Sequence, residues 1–558
     1  MDKNSIIGFV LIALVMIFSS YFFQPPENSE NSAIEKVAME NDSIVSGETN
    51  NSFNERNNIT INKNSELIPQ EEIRESEIVV ENDLFIGKFS SKGGAVTSFE
   101  LKKFKSREDE NKGVNLVHPE GRNLITKIEL TDGQLLENLN YRVSNENITL
   151  SGTDSKEIVF EALDSEGNIL YKKIYKFYGD KYNFDVKVEP VSIKGLIKEG
   201  GVSILWPDGM NFTEVSKDGK NLNGEEWFLN SYCYDSEGEL TEFNNSDEAE
   251  VSGKFLWGAT RSKYFETFIY AKTPKFDNFT TYRAPEGINY LEEKYSSIGF
   301  EIGYRDNDNI EFSVYSGPME YDLFKEYGLD FQSTLNWGWD IVRPFSWLVL
   351  KSIKLFHPII PNYGWLIIFL SLIINALLLP FNIKAFKSTV AMKKIQPYVK
   401  EVKEKFPGDL QRQQQETMAL YKKHGVNPFG SCLPSLLPMP ILYGFFIVFR
   451  STIDIRDQGF ALWLTDLSLP EVFITLPFNI PLYGGHIGLL PLIMAVFSYL
   501  QMKDTITDPN QKMMAYMMPA MLLIFFNNFA SGLILYYTVG TIFRYFQQLF
   551  TKKSLAKG

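Results

Sequence analysis

Long apolar segments constrain this chain more than any other feature of its sequence, because a run of about 20 apolar residues matches the hydrocarbon core of a bilayer. Five of these segments lie beyond residue 360. In the most uniform of them only Ser371 and Asn375 carry polar side chains. The sequence predicts transmembrane helices at residues 1–23, 362–382, 429–450, 482–502, 513–528 and 529–550.

The first apolar segment follows Lys3 and ends at the Gln-Pro-Pro sequence of residues 24–26. A cleaved signal peptide would have the same apolar core, but no small-x-small cleavage site follows, and this favours a retained signal anchor. Residues 24–76 are acidic and poor in aromatic side chains. They cannot bury enough apolar surface to fold, so we expect a disordered linker.

Residues 77–325 consist of short alternating runs of apolar and polar residues, separated by turn sequences such as Lys-Gly-Gly at 92–94 and Thr-Asp-Gly at 131–133. This spacing is typical of an all-β sandwich. Neither of the two cysteines, Cys233 and Cys432, has a His or Cys at metal-ligand spacing. We therefore expect no metal site and no disulfide, and interpret each cysteine as a small hydrophobic residue.

Aromatic, basic and apolar residues are mixed over residues 330–361, which predicts an amphipathic helix lying in the membrane interface. Residues 384–427 hold ten basic and four acidic side chains. Apolar residues at helical spacing and a Phe-Pro-Gly-Asp turn at 406–409 predict a helical hairpin over 383–428.

Charge predicts which side of the membrane each part occupies, because loops rich in Lys and Arg stay in the cytoplasm. The hairpin, the loop at 503–512 and the tail at 551–558 are then inside. The β domain and the loop at 451–481 are outside. The predicted fold class is a multi-domain membrane protein, with an external all-β sandwich, an α-helical core, six spans in total and both termini in the cytoplasm.

Several short motifs lie within or beside the apolar segments. They are 427–434 (NPFGSCLP), 438–441 (PMPI), 460–468 (FALWLTDLS), 507–509 (TDP), 518–519 (MP) and 531–537 (SGLILYY). In this order, over about 200 residues, they closely resemble the YidC/Oxa/Alb family of membrane protein insertases. The large external β domain resembles the Gram-negative form of the family, so we expect it to be periplasmic.

The resemblance implies an insertase and chaperone of the bacterial inner membrane, which is not an enzyme and needs no cofactor, metal or small-molecule substrate. A charged side chain at the bilayer centre costs roughly 2.5–3.5 kcal/mol even on the lenient insertion scale. A hydrophilic groove lowers that barrier for the polar tail of a client protein. The expected partners are nascent membrane proteins, the Sec translocon, the ribosome and membrane lipids.

By the same resemblance, the groove is lined by Ser371, Asn375 and Tyr537, with Tyr536 beside them. Arg544 is the one arginine at a depth comparable to that of Asn375, about two turns inside the cytoplasmic end of the sixth span. The family usually carries an arginine in the second span, where this chain has Asn375. An asparagine donates hydrogen bonds but does not attract an acidic tail, so we hypothesise that Arg544 supplies the cation. The alternatives are that Arg544 snorkels to headgroups, that Ser371 bonds back to its own helix, and that both tyrosines only pack.

The basic hairpin also has two interpretations. The resemblance implies contact with clients or the ribosome through Lys393, Lys394, Lys400, Lys403, Lys405 and Arg412. The simpler alternative is a solvated loop whose charge only sets the topology. Ribosomal RNA and anionic lipid would both be attracted by such a cluster.

Two other classes of protein stay open as alternatives. A transporter or channel would show inverted repeats in hydropathy and paired charges within the membrane, and the sequence shows neither. An intramembrane serine protease would need a nucleophile and a base, for which Ser531 and His486 are the available pair.

Overall fold

The computed structural model describes residues 75–557 apart from short gaps. The gaps are residues 144–146, 165, 218, 220, 223, 245–247, 274, 286–289, 292–294, 306–309, 426–438 and 506–511. The predicted signal anchor and almost all of the predicted linker lie outside the described residues, as do the motifs at 427–434 and 507–509. Ile73–Ala162 and Ile169–Gly558 belong to one compact unit.

Strands fill the region between Glu77 and Pro318, and two more follow residue 470. The strands are β1 Glu77–Glu81, β2 Phe85–Ser90, β3 Val96–Lys105, β4 Gly113–Asn115, β5 Ile125–Leu130, β6 Leu135–Leu136, β7 Tyr141–Val143, β8 Ile148–Thr149, β9 Ser155–Leu163, β10 Ile169–Tyr178, β11 Asn183–Pro190, β12 Ile197–Trp206, β13 Asn230–Asp235, β14 Leu240–Asn244, β15 Ala249–Arg261, β16 Phe265–Thr273, β17 Phe276–Arg283, β18 Tyr290–Leu291, β19 Tyr295–Ser296, β20 Ile298–Tyr304, β21 Ile310–Pro318, β22 Ile474–Ile480 and β23 Gly484–Ile487.

The β domain is a sandwich, as predicted. Its smaller sheet has the order β4-β3-β2-β1-β8, and its larger sheet runs β6-β5-β12-β20-β17-β15-β16-β21-β11-β10-β9-β7, with β13 paired to β15 and β14 paired to β13. Buried and half-buried residues alternate along β10 from Tyr171 to Tyr178, as expected for a strand with one face against the core. Rings from the two sheets meet in the core, where Phe89 lies 4.9 Å from Phe177 and 5.7 Å from Phe184 between ring centroids.

Glycines make two of the predicted turns possible. The φ angles of Gly93 and Gly133 are 72° and 85°, a left-handed conformation that a residue with a Cβ rarely adopts. Cys233 is a free, buried residue of β13, and burial raises the pKa of its thiol to about 12. It therefore packs as a small hydrophobic residue, whereas Cys432 lies outside the described residues.

Helices dominate the region after β21. They are α1 Tyr321–Tyr327, α2 Arg343–Phe356, α3 Tyr363–Leu377, α4 Leu379–Lys405, α5 Leu410–Lys423, α6 Met439–Ser451, α7 Leu489–Thr505, α8 Lys512–Phe526 and α9 Ser531–Lys557. In the described part of the chain, no helix taken alone has both the length and the apolar composition of a membrane span, whereas α3 and α4, bent by 58°, meet that test as a pair. Met439–Ser451, Leu489–Lys503 and Ala515–Phe526 are shorter apolar helices.

The boundary between the predicted second span and the predicted hairpin lies earlier than expected. The sequence predicts a span that continues to residue 382, but α3 ends at Leu377 and α4 begins at Leu379. Pro380 occupies the first turn of α4, where its missing N–H group leaves no hydrogen bond unmade. The proline therefore starts the next helix after a bend and does not simply end the previous one.

The start predicted for the fourth span, residue 482, is wrong. Gly484–Ile487 form strand β23, which pairs antiparallel with β22, and helix α7 starts only at Leu489. The glycines at 484, 485 and 488 disfavour a helix, because glycine loses the most backbone entropy on ordering. Strand β23 replaces the first helical turns that were expected there, and β22 lies in the segment predicted as a loop.

The predicted amphipathic helix is present as α2, which is shorter than the expected 330–361, and its location in the membrane interface stays a prediction. One face buries Val349, Leu350 and Ile353 in the core of the helical region. Helix α6 packs closely against it because residue 444 is a glycine, and a Cβ there would lie 2.9 Å from the backbone carbon of Phe345.

Two helices form the predicted hairpin. Ile395 and Val399 are buried on the inner face of α4, in agreement with the apolar spacing. The Phe-Pro-Gly-Asp turn follows, with φ of 85° at Gly408, and the side chain of Asp409 accepts a hydrogen bond from the amide of Arg412 to begin α5. The location of this hairpin in the cytoplasm stays a prediction.

A buried ionic cluster joins the β domain to the segment after α6. Glu214 and Arg456 are both inaccessible to solvent and lie 2.6 Å apart, and Arg107 lies 3.3 Å from the same carboxylate. Arg107 also pairs with Asp457 at 2.6 Å and Asp466 at 2.5 Å. Burial opposes the charge of Arg107, but these three carboxylates hold the pKa of its guanidinium above the ordinary value.

Candidate functional site

The polar face of α3 is the first part of the predicted site. Ser371 and Asn375 lie one turn apart and are buried. The Ser371 hydroxyl donates across to the carbonyl oxygen of Tyr536 in α9 at 3.0 Å. It does not bond back to its own helix, which corrects the alternative raised from the sequence. The Asn375 amide donates at 2.8 Å to the carbonyl of Ser371, so its oxygen faces away from that bond.

Arg544 of α9 is the hydrogen-bond partner of the Asn375 side-chain oxygen. Its Nη1 donates to the Asn375 Oδ1 at 3.2 Å, and its Nη2 donates to the hydroxyl of Thr541 at 3.0 Å. The guanidinium carbon also lies 5.6 Å from the ring centroid of Tyr537. All three partners are neutral. In the described part of the chain, no carboxylate neutralises this half-buried cation.

Gly540 makes the contact between α3 and α9 possible. A Cβ at this position would lie 3.0 Å from the Asn375 Nδ2, 3.3 Å from the Arg544 Nη1 and 3.6 Å from the Ser371 Oγ. The site therefore has a glycine at its centre. A Cβ there would require the side chains of Asn375 and Arg544 to shift slightly, whereas its distance to Ser371 would be an ordinary contact.

The two tyrosines differ in role. Tyr536 is buried, and its ring stacks on Phe445 of α6 at 4.0 Å between centroids. Its side chain therefore packs in the core, and its backbone carbonyl accepts the hydrogen bond from Ser371. Tyr537 is half-buried and lies between the Arg544 guanidinium and Phe526 of α8, whose ring it stacks on at 5.4 Å. It therefore belongs to the polar cluster on one side and to the core on the other.

The structure adds two residues that the sequence reasoning missed. Gly540 and Thr541 lie one turn before Arg544, and the backbone carbonyl of Thr541 accepts a hydrogen bond from Gln501 of α7 at 2.5 Å. Their spacing was a usable signal, because positions 537, 540, 541 and 544 lie on one face of a helix.

The predicted hairpin residues lie on α4 and α5. Helix α4 carries Lys393, Lys394, Lys400, Lys403 and Lys405. All of these except Lys393 are exposed, as is Arg412 on α5. Lys400 pairs with Glu404 along the helix, and Arg412 lies over the ring of Phe406 at 4.9 Å.

The residues of the protease alternative are engaged separately. The Ser531 hydroxyl donates to the carbonyl of Asp466 at 3.0 Å, and the His486 ring bonds the carbonyl of Asn527 at 3.0 Å. No bond joins the serine to the histidine among the described contacts. This pair therefore lacks the geometry that activates a nucleophile.

Comparisons with known proteins cover both parts of the chain. The family model described as YidC periplasmic domain matches residues 77–348, and the model described as 60Kd inner membrane protein matches residues 355–557. The membrane protein insertase YidC of Chloroherpeton thalassium is 30% identical over 99% of this chain and 96% of its own length. That of Chlorobium phaeovibrioides is 31% identical over 99% and 95%. A crystal structure of active YidC insertase is 20% identical, with a TM-score of 0.36, over 86% of this chain and 93% of that chain.

Proposed function

This chain belongs to the YidC family of membrane protein insertases, and we propose that it inserts clients through a groove lined by Ser371, Asn375, Tyr537 and Arg544. It is an inner-membrane insertase with a periplasmic domain, and its clients are nascent membrane proteins. The family is not a known enzyme family.

One observation carries the proposal for the groove. Arg544 is a half-buried cation whose described partners are an amide, a hydroxyl and an aromatic ring. A buried charge is ordinarily paired, because taking it out of water is costly. A cation held in place by neutral groups is available to an anionic ligand. The acidic tail of a client has the matching chemistry.

The cluster acts by lowering the cost of crossing the hydrocarbon layer. A client tail exchanges water for the guanidinium of Arg544 and the amide of Asn375 for part of its path, so it is never stripped of all polar partners. The apolar segment of the client then enters lipid, and this transfer is favourable. Client binding therefore needs to be only transient, and no nucleotide hydrolysis is required.

The test compares Arg544→Ala and Arg544→Lys for insertion of two clients that differ only in an acidic or a neutral tail. Hydrogen bonds to charged groups contribute about 1.5–3 kcal/mol, so we expect Arg544→Ala to slow insertion of the acidic client by roughly 10- to 100-fold. The neutral client and Arg544→Lys should be affected much less. Lys553→Ala, an exposed position on the same helix, is the matched control.

Unchanged insertion of the acidic client in Arg544→Ala would end the proposal. So would an equal loss for both clients, because a purely structural defect does not depend on the charge of the tail.

We also propose six spans, with both termini in the cytoplasm and the 451–481 loop on the periplasmic side. The distribution of Lys and Arg supports this arrangement. The ion pairs of Arg107 with Asp457 and Asp466 support it independently, because Arg107 belongs to the periplasmic β domain. Labelling of single cysteines by a membrane-impermeant reagent would test it, and labelling of the 451–468 segment only from the cytoplasmic side would contradict it.

The basic hairpin is proposed to meet clients, the ribosome or anionic lipid, and the Sec translocon is proposed as a further partner. The exposure of Lys394, Lys400, Lys403, Lys405 and Arg412 supports an electrostatic role. Such contacts release counterions and weaken with salt, which distinguishes them from apolar docking.

A further inference from the structure

The segment between α6 and α7 carries an apolar surface that the groove does not use. Residues 472–487, here called the external ribbon, comprise β22 and β23 and the residues beside them. From Val472 to Met502 the sequence contains no Asp, Glu, Lys or Arg. Most of β22 is nevertheless exposed, including Ile474 and Phe478. The exposed fraction of Phe478 is 62%.

Neither face of β22 is covered over most of its length in the described part of the chain, whereas β23 is half-buried and Phe473, just before β22, packs on Trp463. Successive residues of a strand point to opposite faces, so exposure at consecutive positions means that neither face is covered. A two-stranded ribbon is marginally stable in water at best. An exposed apolar strand with open edges is also a site for aggregation. A water-facing role does not fit this segment.

Two leucines between α6 and α7 also expose large apolar side chains. Leu482 at the tip of the ribbon is 89% exposed, and Leu462 in the same loop is 86% exposed. Both have a left-handed backbone, with φ of 69° and 57°. Turn positions of this kind favour Gly, Asn or Asp, because a Cβ is strained there. A leucine at such a position presents a large apolar side chain outward, where an apolar medium would accept it.

The base of the external ribbon is fixed to the helices. The Asn527 side chain donates to the carbonyls of Tyr483 and His486 and accepts from the amide of Gly488, with distances of 3.0, 2.9 and 3.0 Å. At the other end, Glu471 accepts from the amide of Leu490 at 2.8 Å, within the first turn of α7. The ribbon is therefore held at one end of α7, α8 and α9.

From this placement we propose that the external ribbon lies in the outer leaflet of the inner membrane, with Phe478 and Leu482 among the acyl chains. The inference rests on the proposed six-span topology. The ribbon surface continues into α7, whose Leu492 and Val496 are exposed and apolar.

The unpaired strand edges keep the backbone at the interface, because hydrocarbon offers no partners for N–H and C=O groups. Since the ribbon has no cation, its contact with lipid does not depend on headgroup charge.

The experiment uses the full chain with Cys233 and Cys432 replaced by serine and one new cysteine carrying a nitroxide. Phe478→Cys and Leu482→Cys are compared with Leu196→Cys, an exposed apolar position in the β domain. The proteins are reconstituted at low density in phosphatidylcholine vesicles with and without phosphatidylglycerol. Accessibility of the label to oxygen, which is enriched in lipid, is measured against that to a water-soluble nickel chelate.

We expect a severalfold higher oxygen-to-nickel ratio at 478 and 482 than at 196, equal in both lipid mixtures. A ratio like that of position 196 at both sites would overturn the inference. Protection from nickel that appears only at high protein density would instead indicate a second copy of the chain, and protection only with a client present would indicate client binding. Either result also overturns it.

Insertion of the acidic-tail client is measured with the same labelled proteins. If the labels at the ribbon are in water while insertion is normal and depends on Arg544, only this inference is wrong. If the labels at the ribbon are in lipid while insertion does not depend on Arg544, only the proposed groove is wrong.

Discussion

The substitution Glu214→Gln tests whether the β domain is fastened to the helical region by charge. The carboxylate of Glu214 accepts from the Nε atoms of Arg456 at 2.6 Å and Arg107 at 3.3 Å, and both Glu214 and Arg456 are shielded from solvent. A glutamine keeps the shape but turns one end of the group into an NH2, which meets an arginine donor to donor.

The expected loss of unfolding free energy depends on which carboxylates each arginine still contacts in the variant. Removing one partner of a buried pair costs about 3–5 kcal/mol. Arg107 keeps Asp457 and Asp466, and Arg456 keeps Asp457 at 2.6 Å. We therefore expect the lower end, about 3 kcal/mol. For a domain of 150–250 residues this corresponds to a Tm lower by roughly 6–12 °C.

The assay is thermal unfolding of the full chain in detergent, with amide hydrogen exchange of the 453–468 segment. If the junction opens before the domains unfold, water reaches the arginines, and the loss appears as faster exchange rather than lower Tm. Glu129→Gln is the matched control, since Glu129 pairs with Lys198 at an exposed site and should cost under about 0.5 kcal/mol. Equal effects of the two variants on both readouts would refute the reasoning.

Two further predictions concern other parts of the chain. Lys173 is fully buried, and burial lowers the pKa of its ammonium from 10.5 to about 7. Between these values only the unfolded chain binds the proton, so stability should rise with pH by up to about 1.4 kcal/mol per unit. Urea unfolding between about pH 7 and 9 should show this rise, and Lys173→Met should remove the share that comes from Lys173, leaving that of Lys263, whose pKa burial also lowers to about 7. Replacing Lys400, Lys403 and Lys405 with glutamine should weaken ribosome co-sedimentation and lower its salt dependence by roughly two charges. The same change at the exposed Lys156, Lys198 and Lys254 should not.

The β sandwich and the hairpin could be predicted because each follows from a local period. Alternation along β10 and the glycine turns at 93 and 133 indicate strands, and the apolar spacing at Ile395 and Val399 indicates a helix. These patterns depend only on which face is buried.

The strand at Gly484–Ile487 was mistaken for the start of a helix because an unbroken apolar run has no period that separates the two structures, and β22 lies in a segment predicted only as a loop. Gly484 and Gly485 were the available signal, and they were interpreted as the start of a helix. The ionic junction had no signal at all. Arg107 and Asp466 are 359 positions apart in the sequence, and charged residues are far too common for such a pairing to be inferred.

The polar cluster shows what the sequence does and does not determine about the site. Depth along the two apolar segments indicates that Asn375 and Arg544 could meet, but depth alone leaves the helices free to face other neighbours. Contact requires α3 and α9 to approach within the reach of an amide, and the glycine at 540 allows this, since a Cβ there would lie 3.0 Å from Asn375. Gly540 therefore belongs to the arrangement that brings the guanidinium of Arg544 to Asn375, because a Cβ there would require these two side chains to shift.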